Sequence, residues 1–259
     1  MENPFKKIES KPQEKMDTKP QKFEVIVDLK EPIQRILDQL SERIERGEWY
    51  DLIVGDDASG RIPALIIAEV LKKIADARGF EHPKVLFFAG ERSQHTPGAK
   101  KERQQKIAEA LQKVEKQKVG TSSSALLVTD TLISGETIED IARGLTMQNT
   151  FFDLATIFLS ESRGATILAS QLGARSVISG DGTTEIYKKS GIGGVIKGSN
   201  VFSIHANPVR ADPSFESRSP EVIQKVINQA RADAKSIAHE IAEAYLAKHP
   251  QKEERKRAA

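Results

Sequence analysis

The residues best disposed for chemistry are Asp130 and a small polar cluster just beyond it, Ser134, Gly135, Glu136 and Thr137. Before them runs the apolar segment Ala125-Leu126-Leu127-Val128, itself preceded by the small polar residues Thr121 to Ser124. After them Ile138, Ile141, Ala142 and Leu145 recur at helical spacing. The order reads as a strand buried on both faces, a polar turn containing glycine, and a helix. A turn in that place meets the first N–H groups of the helix, which lack intrahelical acceptors, and the positive end of its dipole. Both favour a phosphate. Gly135 lets the backbone approach an anion closely. Ser134 and Thr137 add hydroxyls, and either can cap the helix. Hydrogen bonds to a charged group contribute roughly 1.5–3 kcal/mol each, so a few such donors hold one phosphate well. Asp130 can accept hydrogen bonds from a sugar diol or face a metal ion.

The elements that must position this cluster follow from periodicity. Phe23 to Asp28 reads as a strand. Pro32 opens a helix with Ile33, Ile36, Leu37, Leu40 and Ile44 on one stripe, stopping at Gly47. Asp51 to Val54 is the next strand. It runs into the polar loop Gly55-Asp56-Asp57-Ala58-Ser59-Gly60-Arg61, and then into a helix with Pro63 in its first turn. Val85 to Ala89 is a third strand. A long polar stretch, Gly90 to Arg103, follows it; loops of that length are usually lids or disordered. A helix carrying Ile107, Ala108, Leu111 and Val114 comes next. Beyond the central cluster, Leu154 to Leu159 and Arg175 to Ser179 are strands flanking a short helix, Ala165 to Leu172. Such alternation predicts an α/β fold, a mostly parallel twisted sheet flanked by helices. Ligands bind such sheets at the carboxyl ends of the strands.

The expected organisation is an unstructured arm over 1–22, an α/β domain over 23–215, a long helix within 216–247 and a charged tail over 248–259. A hood over the site is expected at about 183–210; within it residues 186–204, with Tyr187, a glycine-rich turn and Val201 to Ile204, suggest a hairpin. Gly191-Ile192-Gly193-Gly194 lacks the strand–helix context of a dinucleotide fingerprint, and Tyr187 and Phe202 are read as packing residues. The long helix is alanine-rich along its interface. It either packs on the domain or mediates a homodimer.

Composition removes several alternatives. At 259 residues the chain has ample core for independent folding. A formal net charge of +2 gives no global electrostatic case for nucleic acid. Without cysteine there is no disulfide, thiolate nucleophile or zinc–thiolate site. There is no apolar signal core and no run long enough to cross a bilayer, so no membrane partner is expected; a cytoplasmic location is compatible. Neither a nucleophile elbow nor a metal-ligand cluster is visible.

The stretch Val128-Thr129-Asp130-Thr131-Leu132-Ile133-Ser134-Gly135-Glu136-Thr137 resembles the phosphoribosyl pyrophosphate-binding motif of type I phosphoribosyltransferases. That motif is a hydrophobic strand, two acidic residues, two mostly apolar residues and a small-residue turn. Asp130 matches the second acidic residue, and Ser134, Gly135 and Thr137 match the phosphate turn. Thr129 replaces the first acidic residue. Ile133 stands where the purine enzymes carry an acid near the base, which disfavours a purine acceptor.

The resemblance implies further roles. The Gly55–Arg61 loop occupies the place of the pyrophosphate loop; Gly55 and Gly60 allow a tight backbone, and Arg61 can pair bidentately with phosphate oxygens. Asp56 and Asp57 either contact hydrated Mg²⁺ or point away and cap the following helix. The Gly90–Arg103 stretch takes the place of a mobile catalytic loop, so Arg92, Lys100, Lys101 and Arg103 would neutralise pyrophosphate charge on closure. Asp130, Arg92, Lys100 and Lys101 thus become the expected catalytic residues. The implied reaction transfers the phosphoribosyl group to a nitrogen acceptor with release of pyrophosphate. The two departed positions keep two other readings open: a non-catalytic binder of a nucleotide or sugar phosphate that regulates a partner, and an α/β protein that acts through helix-mediated assembly.

Overall fold

The computed structural model describes residues 22–56, 60–89, 97–115, 123–160, 164–182 and 220–250. In chain order the elements are α1 (Glu24–Val27), α2 (Lys30–Glu45), β1 (Leu52–Asp56), α3 (Arg61–Arg78), β2 (Lys84–Phe88) and α4 (Pro97–Glu115), then β3 (Ser124–Leu132), α5 (Glu139–Met147), β4 (Phe151–Leu159), α6 (Ala165–Leu172), β5 (Val177–Ser179) and α7 (Pro220–Lys248). The strands form one sheet in the order β2-β1-β3-β4-β5. Every pairing is parallel.

Side chains alternate across each strand and both faces are covered, so most strand residues are apolar, with Asp56, Thr129, Asp153 and Thr156 as buried polar exceptions. On β3, Leu126 and Val128 face α1, α2, α3 and α7, together with Ile53 of β1 and Ile157 of β4. Ala125 and Leu127 face the other layer, where Ile107 and Leu111 of α4, Ile141 and Leu145 of α5, and Leu168 and Leu172 of α6 close the core. α3 therefore leaves β1 to one face and α5 leaves β3 to the other. The chain reverses its winding between these two strands, which places a crevice outside their carboxyl ends.

α7 covers the outer surface of α3 with Ala234, Ile237, Ala238, Ile241, Ala242 and Tyr245. It also reaches the start of the fold: Asp233 accepts a hydrogen bond from the Phe23 N–H at 2.9 Å, and Glu240 pairs with Lys22 at 2.6 Å and Lys30 at 2.7 Å. At its other end Lys248 pairs with Asp38 at 2.8 Å.

Two expectations need correction. Phe23–Asp28 is no strand: Glu24–Val27 is a single helical turn, burying Val25 and Ile26. The polar stretch after β2 does not run as a loop to Arg103, because α4 starts at Pro97. Residues 1–21, the hood over 183–210 and the tail from 251 lie outside the described residues, as do Asp57, Ala58, Ser59 and Arg92.

Candidate functional site

β3 is nine residues long and does not end at Asp130: Thr131 and Leu132 still pair with Phe158 and Leu159 of β4. Asp130 therefore sits in the last turns of the ladder, half-buried at the carboxyl edge. Its Oδ1 accepts the N–H of Thr131 at 2.7 Å, and its carbonyl accepts the Thr156 hydroxyl at 3.3 Å. Thr129, the neutral residue beside it, is buried, and Ile133 is 47% exposed at the rim.

The turn that follows brings Ser134, Gly135, Glu136 and Thr137 together between β3 and α5. Gly135 has φ +79°, where an L side chain is strained, and a methyl there would meet Leu172 Cδ1 at 3.2 Å. Here glycine is required by conformation and by packing against α6. Ser134 Oγ accepts the Glu136 N–H at 3.4 Å. Neither Ser134 nor Thr137 caps the helix: the cap position is Ile138, with no side-chain cap bond. Ile138 is instead drawn into the core by its side chain, with its N–H bonded to the Gly135 carbonyl at 3.1 Å. The backbone N–H groups of Ser134, Gly135 and Thr137 meet no acceptor among the described residues. The first N–H groups of a helix have no intrahelical acceptor, and exposed ones bond to water.

The described end of the β1–α3 connection, Gly60, lies against β3 at Val128 and Thr129. Gly60 is pressed onto β3: a methyl on it would lie 2.3 Å from the Val128 carbonyl oxygen and 3.0 Å from Thr129 Cα. Its N–H returns to the Asp56 carbonyl at 2.8 Å. Gly55 has a different task from the one expected. It belongs to β1, and its missing side chain makes room for the Phe87 ring, 2.7 Å from where a Cβ would stand. Arg61, first in α3, stacks its guanidinium on that ring at 4.7 Å.

Asp56, the last residue of β1, has no exposed surface. No group of three or more His, Asp or Glu side chains able to hold a metal comes together among the described residues. Asp57, the other member of the expected magnesium pair, lies outside the described residues.

Across the turn stands the start of α4. Lys100 Nζ pairs with Glu139 Oε2 at 2.6 Å, and Arg103 Nε lies 3.4 Å from Asp140 Oδ2. Gln104 donates to Asp140 Oδ1 at 2.9 Å, and Arg103 also donates to the Ala89 carbonyl. Burial pushes the Asp140 carboxyl above its ordinary value, partly opposed by Gln104, Arg103 and Lys100. Lys100 and Arg103 are therefore fixed helix residues and no part of a free loop, while Lys101 on the same helix is exposed.

A second polar cluster, not anticipated from the sequence, occupies the amino edge of the sheet. Asp153 on β4 is wholly buried and receives Arg43 at 2.9 Å, the Tyr50 hydroxyl at 2.9 Å, Ser176 at 2.7 Å and Arg175 at 2.5 Å. Burial alone would raise its carboxyl; the bonds from Arg43, Ser176, Arg175 and Tyr50 outweigh that and hold it below the ordinary range. A lone aspartate inside the apolar run Phe151 to Leu159 was the available signal. It lies at the far edge from Asp130 and its partners are all internal, so it reads as a structural anchor.

No protein-family model and no curated protein matches the chain. Among solved structures, the chain is similar to the crystal structure of an adenine phosphoribosyltransferase, at 14% identity and a TM-score of 0.31, over 57% of this chain and 79% of that chain. A likeness of that degree assigns neither family nor activity.

Proposed function

We propose that the chain binds phosphoribosyl pyrophosphate, or a related sugar phosphate, at the carboxyl edge between β1 and β3. The observation that carries this reading is the turn Ser134–Thr137, whose N–H groups at Ser134, Gly135 and Thr137 meet no acceptor among the described residues, beside the half-buried carboxylate of Asp130. The turn takes the 5-phosphate, and Asp130 accepts hydrogen bonds from the ribose hydroxyls. The adjoining Gly60–Arg61 backbone, with Arg61 held on Phe87, lies where the pyrophosphate would extend, and Lys101 offers a cation from α4.

The reaction that suits this arrangement is displacement at the anomeric carbon. A nitrogen acceptor forms a bond to that carbon as the bond to the pyrophosphate oxygen breaks. Pyrophosphate departs with the electron pair, and the acceptor's proton passes to solvent. What the chain supplies is position and charge stabilisation. Magnesium belongs to this reading as the counter-ion of the ligand's own pyrophosphate.

Two observations favour a second reading, a binder without catalysis. Thr129 is neutral and buried where an acid would support a cationic transition state, and Lys100 and Arg103 are tied to Glu139 and Asp140. Isothermal titration of the chain with phosphoribosyl pyrophosphate and Mg²⁺ tests the shared premise, and binding is expected. Asp130→Asn should weaken it by about tenfold, the equivalent of one charge-assisted bond; an unchanged affinity removes Asp130 from the site. Pyrophosphate release across a panel of nucleobases and amines then separates transfer from binding alone.

A further inference from the structure

The first turn of α5 carries two acids, Glu139 and Asp140, immediately after the turn that would seat the phosphate. Acids at a helix start complement the dipole. For the same reason they oppose an incoming anion, which would enter the same field. In this fold each of them meets a cation or donor from a neighbouring helix. Lys100, Arg103 and Gln104 lie on one face of α4 at helical spacing. From that face Lys100 reaches Glu139 at 2.6 Å, while Arg103 and Gln104 reach Asp140 at 3.4 and 2.9 Å. Arg103 also donates to the carbonyl of Ala89, the residue after β2, so the start of α4 is pinned to the sheet edge while it covers the start of α5.

We infer that Lys100 and Arg103 are positioning residues for anion binding: they neutralise the first-turn acids of α5 and thereby keep the Ser134–Thr137 turn receptive to a phosphate. This rests on the proposed phosphate site and adds to it a role for α4 that needs no contact with the ligand. Lys100 acts through Glu139, and Arg103 through Asp140. A cation that touched the ligand directly would give a different mutational pattern, because its loss could not be repaired by removing an acid.

The test is a double-variant cycle read by titration of the full chain with phosphoribosyl pyrophosphate and Mg²⁺. Lys100→Met uncovers Glu139 and should weaken binding by about three- to tenfold, the scale of one partly screened charge near a helix start. Adding Glu139→Gln to it should return the affinity to within about twofold of the unaltered chain, a rescue that mere loss of packing would not show. Melting curves of the same proteins verify that each is folded. If the double variant binds as weakly as Lys100→Met, Lys100 touches the ligand itself and the inference falls. If Lys100→Met binds as the unaltered chain does, neutralisation has no role and the inference falls while the phosphate site stands. If the unaltered chain shows no binding, the phosphate site fails and takes this role with it.

Discussion

A methyl group on Gly60 would overlap the Val128 carbonyl oxygen, which stands on the rigid central strand and cannot give way. Gly60→Ala should therefore lower stability by about 1–3 kcal/mol, as overpacking does. It should also weaken phosphoribosyl pyrophosphate binding, since the loop must lift off β3. Thermal melts and titration of the same sample measure both. At the other edge Asp153 serves two arginines, a tyrosine and a serine. Asp153→Ala leaves the buried Tyr50 hydroxyl without its acceptor and two partly exposed arginines without their counter-ion, and should cost about 1–3 kcal/mol in denaturant unfolding. Its folded carboxyl lies below the unfolded value. Its contribution is therefore complete above the ordinary carboxylate range and is lost as pH falls through the depressed value. Unfolding midpoints measured from neutral pH downward should fall less steeply for Asp153→Asn than for the unaltered chain.

Elements with an apolar period were legible in the sequence; those held by charge or by distant partners were not. The stripe Ile33, Ile36, Leu37, Leu40 and Ile44 announced α2, and Gly47, with φ +81°, ended it as expected. The first turns of α4, Pro97 to Lys106, carry no such stripe; they are organised by Arg103 and its neighbours against α5, so they read as loop. α1 is one turn long, too short for a period of 3.6 to differ from alternation over Val25, Ile26 and Val27. The extension of β3 past Asp130 depends on pairing with β4, a contact that no local pattern encodes. The cluster from Asp130 to Thr137 was visible as a strand, a turn and a helix, but its lack of a side-chain cap was not. α7 showed its stripe clearly, and the structure seats it on α3. Ala238 has no exposed surface there. Ala238→Leu should push the helices apart, at a cost of about 1–3 kcal/mol in unfolding free energy. Glu240, held down to about 2 by hydrogen bonds from Lys22 and Lys30, keeps its charge through mild acid.

For the molecule as a whole, the described chain is a doubly covered parallel sheet with one reversal of winding, and the proposed ligand sits at that reversal. A ligand bound only by the folded state stabilises it by mass action, about 2.7 kcal/mol at a hundredfold excess over Kd. Phosphoribosyl pyrophosphate should accordingly raise the melting temperature of the unaltered chain, and raise that of Asp130→Asn less at the same concentration. An equal rise in both would remove the site from the β1–β3 crevice.

Among the described elements the helix that shields α3 is the last to be synthesised, yet it holds the N–H of Phe23 and the ammonium of Lys22. On the ribosome, one apolar flank of the nascent sheet therefore waits uncovered, with its first turn untethered, until α7 emerges. Final consolidation must wait for α7, and the interval before it is when this protein is most open to chaperones and to self-association.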